Sequence, residues 1–144
     1  MTTSRRRIAA ALGTAAAWGL AWAPIAVLVG TTLVDPDNSM DEMWLAIGAF
    51  PGFICGVLFS VLLAVAARGR SAGAVDLPQL ALLGALAGLA VALLPVAIGG
   101  EPRPGSLDLL SAGAIVSFTL MGAASALVTG LVLRSVGRRQ ARRA

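Results

Sequence analysis

Four long stretches of this chain contain no charged residue: 8–34, 43–67, 77–100 and 109–133. One Asp or Arg at the centre of a membrane helix costs about 2.5–3.5 kcal/mol on insertion scales, so runs this clean are what a bilayer selects. A span needs about 20 apolar residues at ~1.5 Å rise per residue, and each stretch meets that length. The chain is 58% hydrophobic and 12% charged over its 144 residues, whereas a water-soluble domain carries roughly a quarter charged residues. Disordered chains are poor in apolar residues, so the same figures exclude disorder. The expected fold is all-α. It is an integral membrane, up-down bundle of four transmembrane helices in a single domain, with a basic tail at 134–144.

Helix ends are marked by their usual residues. Ser39 with Glu42 fits a capping box ahead of the second helix. Asp76 with Pro78 suits the start of the third, and Ser106 with Asp108 the start of the fourth. Arg5, Arg6 and Arg7 followed by Ala21-Trp22-Ala23 look like a cleaved signal sequence. The apolar run continues to Val34, however, and Pro24 would directly follow the cut, so the first helix is expected to be retained.

The basic residues are all arginine and lie almost entirely at one side of the four spans. Arg5, Arg6 and Arg7 precede the first helix, Arg68 and Arg70 follow the second, and Arg134, Arg138, Arg139, Arg142 and Arg143 follow the fourth. The opposite loops hold Asp35, Asp37, Asp41, Glu42, Glu101 and Asp108, with Arg103 their only base. The positive-inside rule then puts both termini in the cytoplasm. An all-arginine basic set in an Ala-, Gly-, Leu- and Val-rich chain suits a GC-rich bacterium. Helical spans then point to the cytoplasmic membrane, because the outer membrane takes barrels.

The two halves carry a faint repeat. Gly19-Leu20-Ala21 recurs as Gly88-Leu89-Ala90, Gly30 matches Gly99 at the same offset, and Gly56 to Arg68 has the spacing of Gly122 to Arg134. Such a pattern would arise from parallel duplication of a helical hairpin. In a chain so rich in Ala, Leu and Gly, such matches also arise easily by chance.

Small residues recur at helical spacing. The second helix has Gly48, Gly52, Gly56, Ser60 and Ala64 at four-residue intervals; Gly84 and Gly88 mark the third helix, Gly122 and Gly130 the fourth. Lipid tails provide no hydrophobic drive for helix pairing, and small residues act by letting backbones approach. These faces serve either packing inside the chain or an interface with another protein. Pro24, Pro51 and Pro95 fall within spans, where each removes an amide and favours a kink. With Trp18, Trp22, Phe50 and Phe53 close to two of these prolines, an outward apolar cavity is one expectation, and ordinary packing or lipid contact is the other. Trp44 stands where tryptophan anchors a helix at the membrane boundary.

Chemistry-bearing residues are scarce. The acidic segment 35–42 begins Asp-x-Asp like a calcium loop. It has Met40 where the sixth position needs glycine, and Ala46 where the twelfth needs Glu. The arginines of the tail, Arg134, Arg138, Arg139, Arg142 and Arg143, are candidates for anionic-lipid contact at about 1 kcal/mol each. Without an aromatic platform beside them, nucleic acid is not an expected partner. Cys55 is expected to behave as a small apolar residue. With no His and a single Cys, the usual zinc and iron–sulfur sites lack ligands, and no cofactor is expected.

Ion-coupled transporters keep an ionisable group inside the membrane to bind the coupling ion. The small multidrug transporters are similar in size and helix count, but they depend on a Glu in the first helix, and this chain has none there. No nucleophile–base pair or phosphate loop is evident. The expected function is therefore non-enzymatic: a structural or accessory subunit of a membrane assembly. A small channel or small-molecule-binding transport protein acting as a homo-oligomer is the alternative. Expected partners are the bilayer itself and either a second copy or a larger membrane protein.

Overall fold

A computed structural model of the chain describes residues 3–37, 41–68, 74–98 and 109–141. Among these the protein is all-helical, without strands. The helices are α1 (Thr3–Val29), α2 (Asp41–Ala66), α3 (Leu77–Ala97) and α4 (Leu109–Ala141), with a π-helical turn at Gly30–Val34 closing α1. All four are long and apolar enough to cross a membrane. The chain falls into two compact units, Met1–Ser60 and Val61–Ala144.

In the first unit α1 and α2 pack antiparallel. Gly56 lies against Ala15, Gly52 against Trp22 and Trp18, and Gly48 against Ala26 and Trp22, so α2 runs back along α1. In the second unit α3 and α4 do the same: Gly84 meets Gly122, Gly88 meets Phe118, and Leu80 meets Gly130. Each pair is held by close backbone approach at small residues, the packing mode open to helices surrounded by hydrocarbon.

Four helix ends differ from the sequence expectation by three residues or more. The first helix begins at Thr3, so Arg5 to Arg7 are helical, and its α-helical ladder stops at Val29, short of Val34. From Gly30 the ladder widens to i→i+5, and the Asp35 amide donates to the Gly30 carbonyl at 2.8 Å. Two threonines sit in this turn. Thr31 Oγ1 donates to the Val27 carbonyl at 2.9 Å and Thr32 Oγ1 to the Leu28 carbonyl, competing with backbone amides in a way that loosens a helix. The third helix ends at Ala97, three residues before the expected end. The fourth continues past residue 133 to Ala141, because the tail contains good helix formers and no proline to stop it.

The start of α3 follows the sequence reading. The Asp76 carbonyl accepts from the Leu80 amide at 2.9 Å, which makes Asp76 the N-cap position. Pro78 stands in the first turn, where its missing amide interrupts no helical bond. The side-chain caps expected at Ser39–Glu42 and at Ser106 and Asp108 lie outside the described residues, as does Gly99. Pro24, Pro51 and Pro95 each lie within an uninterrupted helix.

Candidate functional site

The glycine faces are used inside the two helix pairs. A Cβ at Gly48 would come within 2.6 Å of the Trp22 carbonyl and of Ala26 Cβ; one at Gly56 would come within 2.6 Å of Ala15 Cα. At Gly52 it would lie 2.9 Å from Trp22 Cβ and Cγ. Gly84 and Gly122 abut each other's carbonyl oxygens, Gly88 abuts the Phe118 carbonyl, and Gly130 sits beneath Leu80. Ser60 is half-buried and donates to the Gly56 carbonyl at 2.8 Å. Each of the seven glycines thus meets a neighbouring helix of its own unit.

The four aromatic side chains do not share one environment. Trp22 is 1% exposed and Trp18 4%, both buried where α1 meets α2. Trp18 stacks on Phe59 with ring centroids 4.9 Å apart and planes 23° from parallel. Phe50, by contrast, is 67% exposed and Phe53 39%. The two tryptophans are packing residues of the first unit, and Phe50 turns away from them. Helix phase distinguishes the two sets. Gly48 and Gly52 mark the side of α2 that meets α1, and Phe50, two residues from each, is on the other side.

Trp44 lies across Gly30 so closely that no side chain fits beneath its indole. Its Nε1–H is buried and has no hydrogen-bond partner among the described residues. Cys55 is fully buried in the same unit and carries a free thiol.

Threonine hydroxyls inside the spans bond to their own helices. Thr14, Thr119 and Thr129 donate to the carbonyls of Ala10, Ile115 and Ser125, which engages their single donors. Arg134 is the tail arginine with a resolved contact. Its guanidinium donates to the Val75 carbonyl at 3.1 Å, linking α4 to the residues that lead into α3. The side chains of Arg138, Arg139, Arg142 and Arg143 lie outside the described residues. Among the described residues no group of three His, Cys, Asp or Glu side chains is gathered to hold a metal.

One face escaped the sequence reading. Ala9, Gly13, Ala17 and Ala21 follow one another at four-residue intervals on α1, and all four are exposed. A Cβ built on Gly13 meets nothing within 4 Å. The other helices expose bulky side chains such as Leu45, Leu82, Leu86 and Leu120, interspersed with small exposed residues such as Ala46, Ala90, Gly113 and Ala124. The spacing that drew attention to α2 was equally present in α1. Against family models, curated proteins and solved structures, the chain finds no match.

Proposed function

We propose that this chain is a non-enzymatic, multi-pass accessory subunit that binds a helix of a larger membrane protein through the small-residue face of α1. The observation that carries this reading is the exposure of Ala9, Gly13, Ala17 and Ala21, while Gly48, Gly52, Gly56, Gly84, Gly88, Gly122 and Gly130 each meet a helix of their own unit. A lipid-facing helix gains dispersion contact from bulky side chains, whereas a small-residue face gains most from a second helix at close range. Two further features support an accessory role: the spans lack ionisable groups, and their threonine hydroxyls serve their own helices. Both termini are cytoplasmic in this reading, on the strength of the arginine distribution, and the membrane is a bacterial cytoplasmic membrane. Single cysteines placed at residues 3 and 141 of a Cys55→Ala chain are expected to react only with a thiol reagent that has entered the cell. Labelling by an impermeant reagent would reverse the orientation.

The test of the function is isolation in mild detergent followed by mass determination of the intact complex. A larger partner in fixed ratio is expected. Gly13→Leu is expected to remove that partner while leaving the elution and thermal unfolding of the chain unchanged, since a Cβ at this position has no neighbour within 4 Å. A chain isolated alone, or a complex indifferent to Gly13→Leu, overturns the proposal. A pure homo-oligomer lost on Gly13→Leu favours the channel or transport reading instead, and solute flux in proteoliposomes then decides it.

A further inference from the structure

The two helix pairs share more than an architecture. Within the first pair Ala15 faces Gly56, and within the second Gly84 faces Gly122. Gly19 lies against Phe53 with its Cβ position 3.4 Å from Phe53 Cβ, and Gly88 lies against Thr119 with the corresponding distance to Thr119 Cα at 3.1 Å. Matching Gly19 to Gly88 along the first helices also matches Ala15 to Gly84. Matching Gly56 to Gly122 along the second helices also matches Phe53 to Thr119. Both contacts therefore superpose under the alignment suggested by Gly19-Leu20-Ala21 with Gly88-Leu89-Ala90 and by the spacing of Gly56 to Arg68 with Gly122 to Arg134. Four buried positions of the first helices coincide too, Ala15, Trp18, Gly19 and Trp22 in α1 with Gly84, Ala87, Gly88 and Val91 in α3, whereas Ala23 and Leu80 are buried opposite half-buried matches at Ala92 and Ala11.

An antiparallel helix pair can settle in several registers, each displaced by a turn and each offering small residues a place to meet. Agreement of the contact register with an alignment drawn from sequence alone is thus a separate observation from the alignment itself. We infer that α1–α2 and α3–α4 are two copies of one helical hairpin, joined in tandem. The copies have diverged in how the shared register is filled. In the first, Trp18, Trp22 and Phe59 occupy the space between the helices. In the second the matched residues are Ala87, Val91 and Ser125, and closure is by backbone contact at Gly84 and Gly122.

The inference predicts contacts in each copy from the other. Gly84 packs on Ala126 in the second, so Ala15 and Ser60 are the matched pair in the first; Gly52 packs on Trp22 in the first, so Val91 and Phe118 are matched in the second. In a full-length Cys55→Ala chain in membranes, the double variants Ala15→Cys/Ser60→Cys and Val91→Cys/Phe118→Cys are expected to oxidise to intramolecular disulfides, which need Cα atoms within about 7 Å. The controls Ala17→Cys/Ser60→Cys and Val91→Cys/Leu120→Cys point one cysteine away from its neighbour and are expected to stay reduced. Failure of either matched pair to exceed its control overturns the repeat. Elution of the reduced variants like the parent establishes that register, not folding, is being compared. Should Phe118→Cys disturb the fold, Pro95→Cys/Ala114→Cys, matched to Ala26 and Gly48, reads the same register.

Discussion

A leucine at Gly88 is expected to separate α3 from α4 and leave the detergent-solubilised chain aggregated or broadly eluting. A Cβ at this position would fall on the Phe118 carbonyl and within 3.1 Å of Thr119 Cα, so the obstacle is main chain on both counts. Overpacked cores usually lose 1–3 kcal/mol because neighbouring side chains swing aside. A helix backbone cannot swing aside without moving the whole helix, and the loss expected here is at least about 3 kcal/mol. Leucine is apolar and a good helix former, so neither insertion nor helicity is impaired by the substitution itself. Gly13→Leu supplies the comparison: same chemistry, same kind of helix, but open space around it. Thermal unfolding of the two variants beside the parent checks the claim, and equal effects would remove glycine packing as the cement of the second unit.

The second large effect is expected at Trp22. Replacing a buried Trp by alanine in a water-soluble core costs about 3–5 kcal/mol, part of it the transfer of the side chain out of water. In a bilayer that part shrinks, because lipid tails are as apolar as the interior. What remains is the lost contact with Gly48, Gly52 and their neighbours and the void left between α1 and α2, together about 2 kcal/mol. Phe50→Ala is expected to change stability by less than about 0.5 kcal/mol, since Phe50 is largely exposed. Comparable destabilisation by the two variants would contradict the separation of these aromatics.

The four spans were legible because charge is so costly in hydrocarbon that its absence over 20 residues has few other causes. Helix ends were less so. The π-turn at Gly30–Val34 accompanies Trp44 resting on Gly30 across the helix pair, a tertiary contact that the local sequence of the turn does not announce. The first charge after a span locates the membrane boundary and not the helix end, and α4 continues past it to Ala141. For the candidate site, four-residue spacing found small-residue faces without saying what covers them. Gly13 and Gly52 are alike in sequence, yet one is open and the other lies against tryptophan. For the aromatics, closeness in depth does not fix direction around the helix: Trp18 and Trp22 are buried and Phe50 is exposed.

The length of α4 has a mechanical consequence. Its 33 residues make a rod about 50 Å long, against a hydrocarbon thickness of about 30 Å. The part beyond the lipid is therefore a mast and not a tether, stepped at its foot where Arg134 grips the Val75 carbonyl. From Arg134 to Ala141 the rod climbs about 10 Å, close to the distance of about 8 Å over which salt quenches a surface potential. Charge at the base of the mast belongs to the headgroups. Residues 138 and 139 stand only about 6–8 Å above residue 134 on this rod, so the bases carried there stay inside that distance.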